Sequence, residues 1–412
     1  MSIEESSYQG MVILGASGNV GTRLVERTTE GDYPQGRAHS NPELLHNPFP
    51  HQHPTLIIGV ADSQRYYVDI NGIEASMLRA TEDTKANIKG VLNDLGEAHN
   101  GDLTLIVEAV QRQIVAPENA VGLSGEYVGY VDLTDSVEAK AVYEQVLGET
   151  ESGLVAVSKE VLGHLDRDYL WEMYETGRLQ FKPTVGAGMD SVQNCLDSAD
   201  GPYPITSIEA MISGTCLGLC KGLESEAYQN GKIEFSDLLR EQFESGNTEP
   251  IPHKDVGEQN TDVHNKMRIL GMSAYYQAKR EAIHSGMPFV PQSIGDQFPR
   301  KDQVEDYLQA VAAEVDKPMR AFVEKNITQT HTIRHIGRLW LDEEGNEQMS
   351  VGLEQEPRDS EFGRSDQNVI ILKDGIETRI QKKEGAGRDV TSKSVEDGFK
   401  ALVPKGKKRR AH

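Results

Sequence analysis

Three glycines, Gly15, Gly18 and Gly21, stand between a short apolar run and a helical stretch, and this placement narrows the fold more than any other feature of the chain. Met11–Leu14 is rich in β-formers, and Thr22–Arg27 reads as a helix. Strand, glycine turn and helix in that order open a βαβ unit. Glycine lets the backbone turn tightly and come close to a pyrophosphate, while the helix N-terminus offers unpaired N–H groups and partial positive charge. The spacing is not a strict G-x-G-x-x-G, because Ala16 holds the first glycine position and Gly15 precedes it. Gly15, Ser17, Gly18, Asn19 and Val20 are the expected dinucleotide cradle.

Further strands are expected at Thr55–Ala61, Asp102–Glu108, Tyr127–Asp132 and Gly153–Val157, with helix at Val137–Gly148. Short continuous apolar strands alternating with helices imply a parallel sheet covered on both faces. Residues 30–54, polar and rich in Pro, His and Asn, read as a long loop. Asp62 closes the second strand, where an acid can accept from the adenosine ribose hydroxyls. Arg65, three residues on, could instead neutralise a 2′-phosphate, so the cofactor is NAD or NADP. Lys159 follows a buried-type strand and can reach a ligand from its C-terminal rim.

The texture changes past residue 160. Ile205–Ile212 is strand-like and meets Ser213-Gly-Thr215. Ser236–Ser245 reads as a helix with Ser236 as N-cap, and Asp262–Gln277 as another. Thr332–Trp340 and Met349–Gln355, joined through Glu343–Asn346, form a hairpin pattern. Strands and helices mix without simple alternation, which fits an α+β domain. Asp262 and Lys266 are four apart and share a helix face; a surface ion pair is the plain alternative to a functional one. Cys216 and Cys220 are one turn apart but lack neighbouring ligands for a metal, so they read as buried thiols. His51 and His53 read as polar loop residues.

Charge and composition exclude other classes. With 42 Lys+Arg against 65 Asp+Glu the formal charge is −23, which repels the phosphates of a nucleic acid. No apolar run reaches the ~18–20 residues of a membrane span. The first nine residues carry Glu4 and Glu5 and no basic region, unlike a signal peptide. Three cysteines fit a reducing compartment, and a cytoplasmic location is expected.

Taken in order, these segments resemble the homoserine dehydrogenase family from about residue 10 to 403. The likeness rests on the opening glycine turn, Val131–Ser136, Val157-Ser-Lys159, Thr184–Gly188, Ser213-Gly-Thr215, Glu249-Pro with Asp255, Asp262-x-x-x-Lys266, Gly363–Asn368, and Gly385–Gly387 through Thr391. It implies a Rossmann-type α/β nucleotide-binding domain over residues 1–160, completed by 375–403. An α+β substrate-binding and dimerisation domain over 161–374 follows, with a basic tail at 404–412. It also implies interconversion of L-homoserine and L-aspartate 4-semialdehyde, an amino-acid biosynthetic step, by a homodimer or homotetramer.

The resemblance gives each residue a role. Lys159, Lys266 and Asp262 are the catalytic candidates. Glu249, Asp255, Gly214 and Thr215 would hold the amino-acid substrate. Thr134, Lys159 and Gly387 join the glycine turn, Asp62 and Arg65 as cofactor contacts. Backbone carbonyls of Lys182, Val185 and Ala187 would bind a monovalent cation, Na+ or K+. The chain departs from the family pattern at Ile251, where an acid is usual, at Gly218, where an aromatic is expected, and at Lys254, where an acid is common. About two extra residues separate Asp255 from Asp262. A related oxidoreductase acting on another hydroxy-amino acid or aldehyde, and a catalytically silent dinucleotide-binding regulator, are the alternative functions.

Overall fold

The computed structural model describes residues 8–30, 55–79, 81–115, 123–134, 136–150, 152–186, 189–199, 204–248, 251, 253–258, 261–278, 283–383 and 388–402. The chain forms two compact units, Met1–Gly188 with Ala386–His412, and Met189–Gly385. Of the loop expected at 30–54, residues 31–54 with His51 and His53 lie outside the described residues, as does the basic tail, while Glu30 still belongs to a helix.

The first unit is built on a seven-stranded sheet. Its strands are β1 (Tyr8–Leu14), β2 (Thr55–Ala61), β3 (Arg65–Val68), β4 (Glu97–Ala98), β5 (Leu123–Asp132), β6 (Gly153–Ala156) and β7 (Leu179–Gln180). The order is β4-β3-β2-β1-β5-β6-β7. β2, β1, β5, β6 and β7 run parallel, so their C-terminal ends share one edge. β3 and β4 continue the sheet antiparallel. Helices between the strands make this a Rossmann-like α/β unit.

The sequence reading fails at Asp102–Glu108, which is helix (Thr104–Val115) rather than strand. Leu103, Ile106, Val107 and Val110 are buried while Glu108 is exposed, a helical spacing. A short apolar run cannot by itself separate a buried strand from one face of a helix. The boundary also falls later than residue 160, because β7 adds a strand beyond β6. Residues 375–385 stay with the second unit, because β13 (Thr378–Lys383) pairs with β12 (Asn368–Asp374).

The first unit closes with chain from far downstream. The helix Arg388–Lys400 lies against the helix Asn19–Glu30, with Arg27 donating to Glu396 at 2.8 Å. Its Val395 and Phe399, with Leu402 after it, enter the core formed by Met11, Ile13, Val131 and Val155. Phe399 fits because Gly129 has no side chain: a Cβ there would stand 2.3 Å from the ring.

The second unit holds a six-stranded, mostly antiparallel sheet ordered β13-β12-β8-β10-β11-β9. The remaining strands are β8 (Ile205–Met211), β9 (Ile283–Ser285), β10 (His331–Leu341) and β11 (Glu347–Pro357). Helices bury Leu219, Tyr228, Phe235, Leu239, Tyr307 and Val311 in one cluster with Ile333 and Leu353 of the sheet. Two helix ends differ from expectation. The helix Phe235–Glu244 is capped by Glu234, whose N–H donates to Asp237 Oδ2 at 2.9 Å, while Ser236 is drawn to Asp316. The helix Thr261–Ser273 stops short of Gln277, because Glu347 accepts from the N–H groups of Gln277 and Ala278 at 2.6 and 2.7 Å and pulls the chain out of the helical path. Among the described residues no helix is long and apolar enough to cross a membrane.

Candidate active site

In the first unit the candidate residues gather along the C-terminal edge of the parallel sheet. β1 ends at Leu14, and Gly15 turns the chain at φ +78°, a conformation that penalises any Cβ. The N–H groups of Gly15 and Ala16 donate to Ala61 O at 3.0 and 2.9 Å, fixing the turn to the end of β2. Gly21 sits in the first turn of the helix Asn19–Glu30, so close that a Cβ would lie 2.3 Å from Gly15 O. Gly18 and Asn19 are exposed, and Ser17 and Val20 are half-buried. The turn therefore offers backbone N–H groups and a helix N-terminus to an anion, the cradle that a dinucleotide pyrophosphate needs.

The next strand ends are organised by a residue that sequence reasoning passed over. Asp132 is fully buried at the end of β5. Its Oδ1 accepts from Thr134 N and Oγ1 at 2.9 and 2.7 Å, and its Oδ2 from the Tyr143 hydroxyl at 2.8 Å. Burial, then the neighbouring carboxylate, pushes the Tyr143 phenol well above its ordinary range. Thr134 is thus fixed beside the glycine turn, since a Cβ on Gly15 would lie 2.9 Å from Leu133 O. The Asp-x-Thr spacing, which lets a carboxylate take two local donors, was the available signal. Val157 N donates to Asp132 O at 3.0 Å, and Lys159 begins the short helix that Ser158 caps. Thr184 Oγ1 bonds Ala156 O at 2.9 Å, which sets the Lys182–Thr184 turn and the buried Val185 next to the end of β6. Ala187 and Gly387 lie outside the described residues.

Asp62 follows β2 directly. Its Oδ1 accepts from the N–H groups of Gln64 and Arg65 at 2.8 and 2.9 Å. Arg65 opens β3, and its Nη1 donates to Gly96 O at 2.9 Å.

In the second unit the candidates cluster at the end of β8. Ser213 caps the helix Gly214–Glu224 by accepting from Cys216 N at 3.2 Å, leaving Gly214 exposed in the first turn. Lys266 Nζ donates to Asp262 Oδ2 at 2.7 Å and to Ile212 O at 2.9 Å. The side chains of Asp262 and Lys266 are only 6% and 14% exposed, so this is no solvated surface pair. Asp255 is buried on the short helix His253–Val256, and its carbonyl accepts from Cys216 Sγ at 3.4 Å. Burial foremost, with Asp255, Cys220 and Asp262 adding to it, drives the Cys216 thiol far above its ordinary range. Burial pushes Cys220 up to about 12. Both cysteines are therefore packed, protonated thiols.

Two candidates differ from expectation. The Thr215 hydroxyl, expected to face a ligand, donates to Asn247 O at 2.6 Å and so anchors the segment entering Glu249. Gly218 is not an open space: a Cβ there would lie 2.7 Å from Gln242 Oε1, so the Gln242 amide covers the position. Glu249 lies outside the described residues.

Sequence reasoning also missed His253. Its ring occupies a slot between Gly257 and Gly295, where Cβ atoms would stand 2.3 and 2.1 Å away. Nδ1 meets the Tyr307 hydroxyl and Nε2 meets Gln292 Oε1, each at 3.1 Å. The Gln292 amide is oriented by its donation to Asp296 at 2.7 Å, so Nε2 carries the proton and Nδ1 accepts. Two flanking glycines at 257 and 295 were the signal, legible only once the fold joins them.

Comparisons with known proteins bear on the family and the fold. The family model described as homoserine dehydrogenase matches residues 192–397, half of the chain. A homoserine dehydrogenase of Emericella nidulans is 25% identical over 52% of this chain and 57% of its own length. That of Saccharomyces cerevisiae is 23% identical over 53% and 59%. The matched stretch thus spans somewhat over half the length of these curated relatives. Among solved structures, a hyperthermophilic archaeal homoserine dehydrogenase in complex with NADPH has a TM-score of 0.60 at 16% identity, covering 98% of this chain and all of that one. A Candida auris protein of unknown function has a TM-score of 0.66 at 18% identity, covering 96% and 98%. At such identities these structures speak for the fold, and the sequence match supplies the family. With half of its length under that family model, this chain belongs to the homoserine dehydrogenase family.

Proposed function

We propose that the protein is an NAD(P)-dependent oxidoreductase that interconverts L-homoserine and L-aspartate 4-semialdehyde. The observation that carries the reading is the hydrogen bonding of Lys266. An ammonium has three N–H donors. Among the described residues two are taken, by Asp262 and Ile212 O, beside the exposed Gly214, which leaves the third for a ligand oxygen. A half-buried, oriented cation is suited to stabilising an alkoxide and to passing a proton to or from a hydroxyl.

The division of labour follows from chemistry. Gly15, Ser17, Gly18, Asn19 and Val20 would hold the pyrophosphate of NAD or NADP, with Asp62, Arg65, Thr134 and Gly387 as further contacts. The glycine cradle fits such a group, because Gly18 and Asn19 are exposed at the start of the helix Asn19–Glu30, whose first N–H groups lack intrahelical partners. The bound nicotinamide supplies hydride acceptance and donation. Lys266 would bind the reacting oxygen, Asp262 would orient Lys266, and Lys159 would assist on the cofactor side. Glu249 and Asp255 would hold the substrate ammonium, with Gly214 contributing backbone. Thr215, its hydroxyl engaged by Asn247, would position the Glu249 segment. A monovalent cation at the carbonyls of Lys182, Val185 and Ala187, a homodimeric or homotetrameric assembly, and a cytoplasmic location complete the proposal.

Steady-state assay of the purified protein with homoserine and each cofactor tests the reading. Turnover with homoserine supports it. Efficient turnover of deaminated hydroxy acids would remove the roles given to Glu249 and Asp255. A longer ω-hydroxy amino acid outpacing homoserine would move the function to a related dehydrogenase, a reading favoured by the apolar Ile251 and the Gln242-covered Gly218.

A further inference from the structure

The turn joining β2 to β3 lies next to the glycine cradle, because Ala61 O, the last carbonyl of β2, accepts from Gly15 and Ala16. A turn of this kind could serve a phosphate in two ways. Its consecutive N–H groups could form a concave anion site, and a following arginine could supply charge. Here the concave site is already filled, and the arginine is drawn to a backbone carbonyl. Asp62 Oδ1 accepts from Gln64 N and Arg65 N, so a carboxylate of the chain itself fills the anion site. Arg65 Nη1 donates to Gly96 O.

The arrangement is braced from behind. Asp62 N donates to Arg65 O at 2.9 Å, and His99 N donates to Gln64 O at 3.0 Å. His99 is buried; its Nδ1 accepts from Gly101 N at 3.1 Å, so its Nε2 carries the proton and donates to Asp62 O at 3.0 Å. The backbone on both sides of Asp62 is therefore tied down, and the carboxylate is held where it is. Asp62 Oδ2 has no hydrogen bond from the described residues, which leaves an acceptor for a ribose hydroxyl.

We infer that this turn selects NAD(H) over NADP(H), with Asp62 as the specificity-determining residue acting both by its charge and by plugging the N–H groups of Gln64 and Arg65. A 2′-phosphate would meet a fixed negative charge and find the turn donors occupied. A ribose 2′-hydroxyl would find an acceptor. The inference rests on the dinucleotide-binding part of the proposed function and is independent of the substrate.

Direct binding tests it, by fluorescence titration of the full chain with NADH and with NADPH, no substrate being added. NADH should bind at least about tenfold more tightly, an affinity difference of ~1.4 kcal/mol. Asp62→Asn keeps an oxygen able to accept from both N–H groups but removes the charge, so it should narrow the ratio. Asp62→Ala removes both and should narrow it further or invert it. Equal or tighter binding of NADPH by the unaltered chain overturns the inference, as does a ratio unmoved in both variants. NADH selectivity without turnover of homoserine would sink the substrate assignment and leave this one standing. Failure to bind either dinucleotide would sink both.

Discussion

The two units build their candidate sites from different materials. In the first the ligand surface is backbone: the Gly15–Val20 turn, a helix N-terminus and strand ends tied by carbonyl hydrogen bonds. In the second it is side chain: the buried Asp262 with its half-buried partner Lys266, Asp255 and the Ser213 cap around one strand end. A backbone site is vulnerable to added atoms, because its shape depends on missing side chains. A side-chain site is vulnerable to removed ones, because its chemistry resides in a few polar atoms. The two surfaces should therefore fail under opposite kinds of substitution.

The sharpest way to break this contrast is Lys266→Ala. It should lower kcat by ~10²–10⁴-fold, the range for losing a general acid or base. Dinucleotide binding should persist, because the cradle belongs to the other unit. Near-normal turnover would reduce Lys266 to a structural partner of Asp262. Gly21→Ala is the opposite experiment. The added methyl meets Gly15 O at 2.3 Å, a distance that forces the turn to move. Overpacking of this kind costs about 1–3 kcal/mol, so dinucleotide affinity should fall ~10–100-fold. Urea midpoints of the second unit should hold, and an unchanged cofactor Kd would refute the account of the turn.

A third test separates the units by acid. Burial first, and His264 next, lower the imidazole of His335 from its ordinary 6.5 to about 3, with Asp262 opposing. Above pH 6.5 neither state of the chain holds the extra proton and the full stability is present. As the pH falls below 6.5 the unfolded chain takes up the proton and the folded one does not, so stability is lost progressively towards pH 3. At pH 5 the loss is about 2 kcal/mol. The chain has two tryptophans, Trp171 in the first unit and Trp340 in the second. In a Trp171→Phe background, Trp340 fluorescence follows the second unit alone. Adding His335→Phe, which keeps the ring stacked on Phe289, should remove that part of the acid sensitivity. An identical pH slope in both proteins would discount His335.

The smallest effect expected is none. Cys195, Cys216 and Cys220 are buried and all three thiols are pushed up by burial. An aromatic disulfide reagent should find no reactive thiol in the native protein and three after denaturation. Rapid labelling of the native chain would show that the packing around Ser213 opens.

How much was legible beforehand divides along the same line. The glycine turn announced itself, since Gly15 and Gly21 stand where backbone needs their missing Cβ, and strand β2 was read to the residue. The hairpin β10–β11 was equally plain from two strand-like runs joined through the turn residues Glu343–Asn346. The Asp262–Lys266 spacing gave a shared helix face but not its burial, which depends on Ile212 arriving from a distant strand. Asp132, Gln242 and His253 were missed for the same reason. Their partners are Thr134 and Tyr143, the space over Gly218, and the Tyr307–Gln292 pair. Only the Thr134 link is local in sequence. The helix at Thr104–Val115 was misread because its apolar residues run together, a pattern that local sequence leaves ambiguous.

The returning helix Arg388–Lys400 ties the timing of biosynthesis to the architecture. A nascent chain has all seven strands of the first sheet once Gln180 has emerged, yet Val395, Phe399 and Leu402 of that core do not exist. Until they arrive, Gly129 leaves an uncovered groove on β5, while the whole intervening unit can fold on its own nearer contacts. Domains usually mature from the N-terminus during translation. Here the order is reversed: the part begun first is finished last, and a nascent chain that has emerged from the ribosome only as far as residue 385 would display a settled second unit and an open nucleotide fold.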